Sequence, residues 1–381
     1  MKIPFFRPAI GEDEIAEVIE SLRSGWLTTG PKTAQFEADF AAFIGGGVQA
    51  VAVNSATAAL HLALEALNIG PGDEVICPTL TFTATAEVIQ YLGADPVFVD
   101  CDPVTANILP ASISAAITPK TKAILPVHFA GLPCDMPAIL ALAKQHGLFV
   151  VDDAAHALPT LSAGRLIGAC GTTATAFSFY ANKTMTTGEG GMLVTTDPEI
   201  AARARTMRLH GISKDVFDRF SSVKASWRYD VVAPGYKYNM TDIAASLGVH
   251  QLKRVSGFAT DRTEQAERYL EAFATLPLTL PARAGATDTH AWHLFVIRLN
   301  DDAALSRDDF IAAMQAAGIG TSVHYMPLHM MTYWSERYHY QPDDFPNAQA
   351  FFERCVSIPL FQGMTFEEQG YVIDTIKNLL H

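Results

Sequence analysis

The sequence predicts an α/β protein with two parts. A mostly parallel, doubly wound sheet of seven strands lies between helices, and a smaller C-terminal α+β domain follows it. Three observations carry this expectation. Seven short apolar runs occur between residues 48 and 195, and they are continuous rather than alternating, as suits strands covered on both faces. Amphipathic stretches separate the runs, which is the pattern of parallel crossover units. After Thr196 the alternation stops and helical patterns dominate.

The predicted strands are 48–53, 74–77, 96–99, 122–127, 148–151, 174–179 and 191–195. Between them, 56–67, 83–92, 111–117 and 136–146 read as helices. Gly70-Pro71-Gly72-Asp73 ends the first of these before the next strand. A long helix is expected over 197–209, with Pro198 in the first turn, where a missing N–H costs nothing. A polar, Ser-rich stretch over 211–227 comes next, then 235–252, helical from Thr241. The C-terminal part reads as a helix (260–273), a strand (294–299), a helix (307–317) and a last helix (366–380). The expected division is 1–250 for the large domain with an N-terminal arm and 251–381 for the small one, with a long helix able to bridge the two.

Composition narrows the function. A chain of 381 residues suits two domains. Charged residues make up 18%, below the roughly 25% of average chains, which points to extra buried surface in a large core or an oligomer interface. A net charge of −13 argues against nucleic acid or an anionic membrane as the main partner. The five cysteines are scattered without a CxxC, so neither a disulfide framework nor a metal cluster is expected, and a reducing cytoplasm is the simplest setting. The first eight residues are too broken by proline to read as a signal peptide, and no apolar run reaches membrane-spanning length.

In an open α/β sheet, ligands gather beyond the carboxyl ends of the strands. After the first strand comes Asn54-Ser55-Ala56-Thr57-Ala58-Ala59, a small-residue turn into a helix start. That is either a plain capped helix or a phosphate cradle, since the helix N-terminus attracts anions. After the fifth strand comes Asp152-Asp153-Ala154-Ala155-His156. Carboxylates leaving a buried strand need a cation or donor, so the alternatives are a helix cap, a metal site or a partner for a protonated ring nitrogen. After the sixth strand, Lys183 sits in a loop ending Gly188-Glu189-Gly190-Gly191. A partly desolvated lysine there becomes a nucleophilic amine able to form a Schiff base, and Ser178, Asn182, Thr186 and Thr187 make the loop rich in donors. Phe82 follows the second strand, where it is either core or a stacking surface for a planar ring. Phosphate cradle, stacking ring, carboxylate and lysine together describe pyridoxal 5'-phosphate in a fold-type I enzyme.

The chain also resembles the DegT/DnrJ/EryC1/StrS sugar aminotransferases along nearly its whole length. The resemblance lies in Arg23-Ser24-Gly25-Trp26-Leu27-Thr28-Thr29-Gly30-Pro31, in Asn54–Leu60, Gly72–Ile76, Asp152–His156 and Phe177–Gly191, and in Gly235-Tyr236-Lys237-Tyr238-Asn239-Met240-Thr241-Asp242 and Ala291-Trp292-His293-Leu294. Within the family, Pro126–Gly131 and Gly235–Asp242 are most similar to the branch that makes UDP-4-amino-4-deoxy-L-arabinose. The resemblance implies roles. Lys183 would be the Schiff-base lysine and proton carrier. Asp153 would pair with the pyridinium nitrogen, His156 would lie beside the ring, and Phe82 would stack on it. Ala56, Thr57 and Ser178 would bind the phosphate, and Lys237 or Asn239 would reach the phosphate of a neighbouring subunit in a homodimer with shared sites. A family branch that dehydrates instead carries histidine at the lysine position, and Lys183 argues against it. The segment 320–329 resembles the substrate-side loop, with His324, Tyr325 and His329 as candidate contacts; the two histidines either touch substrate or pack.

The implied function is a transaminase that moves an amino group from L-glutamate, giving 2-oxoglutarate, to a nucleotide-linked keto-hexose, with a 4-ketone implied by the nearest branch. Two alternatives share the same residues. One acts on a keto-cyclitol or a 3-keto sugar; the other binds the cofactor as a non-catalytic regulator.

Overall fold

A computed structural model describes residues 1–213 and 229–380, so most of the Ser-rich stretch expected over 211–227 lies outside the described residues. The chain begins with two helices, α1 (Glu12–Ser24) and α2 (Pro31–Ile44), which the apolar pattern did not reveal. The large domain then follows the expected alternation: β1 (Gln49–Val53), α3 (Ala56–Ala66), β2 (Glu74–Pro78), α4 (Ala84–Tyr91), β3 (Asp95–Val99), α5 (Pro110–Ala116), β4 (Thr121–Ile124), α6 (Met136–His146) and β5 (Phe149–Asp153). A two-residue hairpin, β6 (Leu161–Ser162) and β7 (Arg165–Leu166), precedes β8 (Ala174–Ser178), β9 (Gly191–Thr195) and α7 (Pro198–Met207). Caps set the helix starts: Ser55 accepts from Ala58 N at α3, Asp135 from Ala138 N at α6, and Asp197 from Glu199 N and Ile200 N at α7.

The seven strands form one sheet in the order β1-β9-β8-β5-β4-β2-β3. The pairs β5–β8, β4–β5, β2–β4 and β2–β3 are parallel, while β9 runs antiparallel to both β1 and β8. Six strands therefore point one way, and their carboxyl ends, at Val53, Pro78, Asp153 and Ser178 among others, share one edge. Both faces are covered. One core holds Leu60, Leu62, Ala63 and Leu64 of α3 against Val51, Val75, Val151 and Leu193. The other packs Phe36 and Phe40 of α2 against Phe177 and Phe179, with Phe40 and Phe177 ring centroids 5.2 Å apart. Strands dry on both faces read as unbroken apolar runs, which explains why the sequence pattern located them.

The small domain begins within α8 (Asp242–Ala272), then adds β10 (Leu278–Thr279), β11 (Phe295–Leu299), α9 (Arg307–Ala316), α10 (Thr332–Tyr338), α11 (Pro346–Arg354), β12 (Cys355–Ile358) and α12 (Phe366–Leu380). A three-stranded antiparallel sheet, β10-β11-β12, carries it. The helices expected over 241–252 and 260–273 are one helix, so the expected boundary at 250/251 falls inside it. Ala245, Val249, Leu252 and Val255 belong to the core with α2, whereas Ala266, Tyr269 and Leu270 belong to the small-domain core. The N-terminal arm also departs from expectation. Ile3 lies in the small-domain core and pairs with Ile319.

Two contacts draw the small domain onto the sheet edge. Asp100, just after β3, accepts from Asn347 N and Ala348 N, each at 2.9 Å, capping α11 from the other domain. Leu328 N donates to Thr79 O at 2.9 Å. The segment 320–330 is thereby held over the carboxyl ends of the large-domain strands.

Candidate active site

A cavity of about 320 Å³ opens at that edge. Its floor comes from the strand ends and its far wall from His324 and Tyr325. On one side are Ser55, Ala56 and Thr57 at the start of α3, with Ser178 at the end of β8 and Gly190 before β9. The first N–H groups of a helix have no partner inside it, so this corner attracts an anion. The fit is tight because a Cβ on Gly191 would lie 2.5 Å from the Ser55 carbonyl carbon and 2.6 Å from Ala56 N. Only glycine lets β9 approach the helix start so closely.

Asp153 lines the cavity and is 6% exposed. Thr85 Oγ1 donates to its Oδ2 at 2.8 Å and Ala155 N to its Oδ1 at 3.1 Å. Burial pushes its carboxyl up from the usual range, against those two hydrogen bonds. A cationic ring nitrogen facing it would offset the burial. Asp152 does not share the site. The two aspartates are the last residues of β5, and successive side chains on a strand point to opposite faces. Asp152 is fully buried on the other side, accepting from Thr175 Oγ1 at 3.2 Å. Of the two carboxylates read from the sequence, one lines the cavity and the other is held in the core.

Lys183 lines the cavity from the loop between β8 and β9. Burial lowers its ammonium to about 8, partly countered by Asp153. Its Nζ lies 3.4 Å from His293 Nε2. The loop is shaped by its own hydroxyls. Thr186 Oγ1 donates to Phe179 O at 3.0 Å, Thr187 Oγ1 donates to Glu189 O at 2.6 Å, and Gly188 takes φ 80° in the left-handed region. These threonines, expected as ligand donors, instead hold the turn that presents the lysine. Ser178 and Asn182 do reach the cavity.

His156 lines the cavity with its ring 4.4 Å from that of His293, and Tyr325 Oη lies 3.0 Å from His156 Nε2. Burial, with Lys183 next, drives the His156 and His293 imidazoles well below their ordinary range, so both are neutral. Burial also lowers His324 to about 4, and Ser357 Oγ lies 2.7 Å from its Nδ1. Phe82 stands at the lip, 58% exposed, as a large aromatic face open to a planar ligand.

Of the expected residues, Ala56, Thr57, Phe82, Asp153, His156, Ser178, Lys183, His324 and Tyr325 converge on this cavity. Three do not line it. His329 is 1% exposed, its Nδ1 is 2.8 Å from Thr79 Oγ1, and its ring packs on Phe345; of the two histidines, it is the one that packs. Lys237 is exposed on the segment leading to α8, and Asn239 Nδ2 donates to Thr29 Oγ1 at 2.8 Å. Sequence reasoning gave no role to Thr85 or His293. Thr85 lies one helical turn beyond Thr81 and was overshadowed by Phe82. His293 precedes β11 and lies in the Ala291–Leu294 stretch of the resemblance, which carried no role for it. Among the described residues no group of three metal-ligating side chains exists, and no helix is long and apolar enough to cross a membrane.

The buried carboxylate, lowered lysine, open aromatic face and helix-end corner fit pyridoxal phosphate part by part. Comparisons with known proteins agree. The DegT/DnrJ/EryC1/StrS aminotransferase family matches residues 8–377. The spore coat polysaccharide biosynthesis protein SpsC of Bacillus subtilis (strain 168) is 49% identical over 380 residues, covering 99% of this chain and 97% of that protein. Among solved structures, Spr1654 of Streptococcus pneumoniae in its PMP form superposes with a TM-score of 0.93 at 37% identity, covering 99% of both chains. Helicobacter pylori PseC, an aminotransferase involved in the biosynthesis of pseudaminic acid, superposes with a TM-score of 0.90 at 26% identity, covering 100% of this chain and 99% of that one. The chain belongs to the DegT/DnrJ/EryC1/StrS aminotransferase family and is a fold-type I, pyridoxal-phosphate-dependent aminotransferase.

Proposed function

We propose that this aminotransferase moves the amino group of L-glutamate to the ketone of a nucleotide-linked keto-hexose at C4, releasing 2-oxoglutarate. The cofactor supplies an electron sink that stabilises negative charge at the carbon losing its proton. Lys183 would hold the cofactor through its amine and would move the proton at the reacting carbon, a task suited to an amine lowered to about 8. Asp153 would keep the ring nitrogen protonated, Phe82 would offer a stacking face and His156 a place beside the ring. Ala56, Thr57 and Ser178 would hold the phosphate. A second copy of the chain contributes Lys237 or Asn239 to that phosphate, so the working unit is a cytoplasmic homodimer. An exposed apolar stripe on α1, Ile15, Ile19 and Leu22, is in keeping with such a partner.

The observation that carries the substrate class is the far wall of the cavity. His156, His324, Tyr325 and Phe82 offer neutral rings and hydroxyl-bonding atoms rather than fixed charge. Such a wall suits the C–H faces and hydroxyls of a sugar. The roles of SpsC in spore coat polysaccharide biosynthesis and of PseC in pseudaminic acid biosynthesis point the same way. The likeness to the UDP-4-amino-4-deoxy-L-arabinose branch rests on two short runs and favours C4. The test loads the protein with pyridoxamine 5'-phosphate and mixes it with a panel of keto substrates. Rapid amination of a UDP- or dTDP-linked 4-keto sugar is expected. Amination confined to a 3-keto sugar or keto-cyclitol would overturn the C4 reading, and no half-reaction with any amino donor would overturn the enzyme reading.

A further inference from the structure

Among the described residues, Lys183 has one side-chain neighbour within hydrogen-bonding reach, His293, which comes from the other domain. The backbone that carries the ring is fixed from the small domain. Arg262 Nη1 of α8 donates to Trp292 O at 3.0 Å and His293 O at 3.2 Å, fixing the backbone that carries it. The same guanidinium reaches Leu360 O at 3.0 Å and Gln362 Oε1 at 2.9 Å. Gln362 in turn donates to Thr184 O, the residue after the lysine. One buried cation therefore ties both the histidine and the lysine loop to the same frame. The His293 ring packs on His156, and its Nδ1 has no partner.

We propose that His293 is a positioning residue for Lys183: its Nε2 accepts from the lysine's amino group and holds it over the reacting carbon whenever that nitrogen carries no bond to the cofactor. The inference rests on the reading of Lys183 as the cofactor lysine. A lysine released during each half-reaction swings on four rotatable bonds, and ordering it is costly in entropy. A fixed acceptor on the opposite domain limits that search, and it does so only when the two domains are assembled around the cavity. The charged and titratable groups facing this pair are Asp153 of β5, His156 after it, His324 of the 320–329 segment and Arg262 of α8, none of them on the lysine's own loop.

The test uses full-length protein loaded with pyridoxamine 5'-phosphate, in which Lys183 is a free amine. The pH midpoint of Lys183 acylation by a trace of acetic anhydride is read by mass spectrometry in the unaltered protein, His293→Phe and His293→Gln. Phenylalanine keeps the site dry but cannot accept, so the ammonium loses a hydrogen bond and the midpoint falls by about one pH unit, a roughly tenfold change in free-amine fraction. Glutamine restores an acceptor and keeps the midpoint near that of the unaltered protein. In the pyridoxal phosphate form, bleaching by L-glutamate slows roughly 100-fold in H293F, and glutamine recovers most of it. A midpoint unmoved or raised in H293F, or equal shifts in both variants, overturns the proposal. If glutamate fails to bleach the unaltered protein, the donor assignment falls while the acylation midpoints still decide the role of His293. If borohydride traps the cofactor on another lysine, the reading and this proposal fall together.

Discussion

Tyr325 Oη lies 3.0 Å from His156 Nε2, so a residue of the small domain closes the cavity against a residue that follows β5. Burial keeps the histidine neutral and pushes the tyrosine hydroxyl above its ordinary range, so the contact is a neutral hydrogen bond. Tyr325→Phe removes it without changing the ring. The loss of about 1 kcal/mol expected for one neutral hydrogen bond predicts a five- to tenfold fall in kcat/KM for the keto substrate, by about that energy. Cofactor absorbance should be unchanged, and steady-state kinetics with the cofactor spectrum checks both.

Asp153→Asn keeps the Thr85 and Ala155 contacts in reach but removes the charge proposed to face the ring nitrogen. Cofactor binding should survive through the helix-end corner, while the half-reaction with an amino donor falls by roughly 100-fold or more, as for loss of a preorganised electrostatic partner. Stopped-flow bleaching measures this. A variant retaining near-normal rates would remove Asp153 from its assigned role.

The lowered Lys183 ammonium has a consequence for stability. Its folded value is about 8 against 10.5 for the ordinary lysine. Between those values the unfolded chain binds more protons, so stability rises with pH there. Below about pH 8 the burial cost is present in full, and it fades as pH climbs toward 10.5. Lys183→Met should therefore stabilise the cofactor-free protein more at pH 7.5 than at pH 10. Thermal unfolding of the two proteins at both pH values gives the comparison, and a constant difference would contradict the burial.

His329 marks the limit of what could be read from sequence. Its neighbour His324 lines the cavity, yet His329 is packed beneath it on Thr79 and Phe345. His329→Ala should cost about 1–3 kcal/mol of stability through lost packing and the lost hydrogen bond between the imidazole and the Thr79 hydroxyl, with KM for the keto substrate unchanged. Denaturant unfolding and substrate titration separate the two effects.

The same logic explains which parts of the fold were legible. The strands of the large sheet are dry on both faces, so their apolar runs marked them within a few residues. Lys183, Phe82 and Ser55 stood out because each follows such a strand, where an α/β sheet places ligands. The parity of Asp152 and Asp153 was hidden, because only the exact end of β5 decides which carboxylate faces the cavity. The early helices α1 and α2 carry weaker apolar stripes, and β12 is four residues long, so neither announces itself. A helix bridging the two domains was expected, but the point at which α8 passes from one core to the other depends on packing against both domains, which local pattern does not encode. His293 is invisible for the same reason: its partner lies 110 residues away and meets it only through the Arg262 frame.

In the proposed function, everything turns on Lys183 as the residue that binds the cofactor and carries the proton. Borohydride reduction of the pyridoxal-phosphate-loaded protein, followed by peptide mass spectrometry, tests it most directly. A single reduced cofactor adduct on Lys183 is expected, and no adduct with loss of the glutamate half-reaction in Lys183→Ala. An adduct on any other lysine, or full transamination by Lys183→Ala, would contradict it.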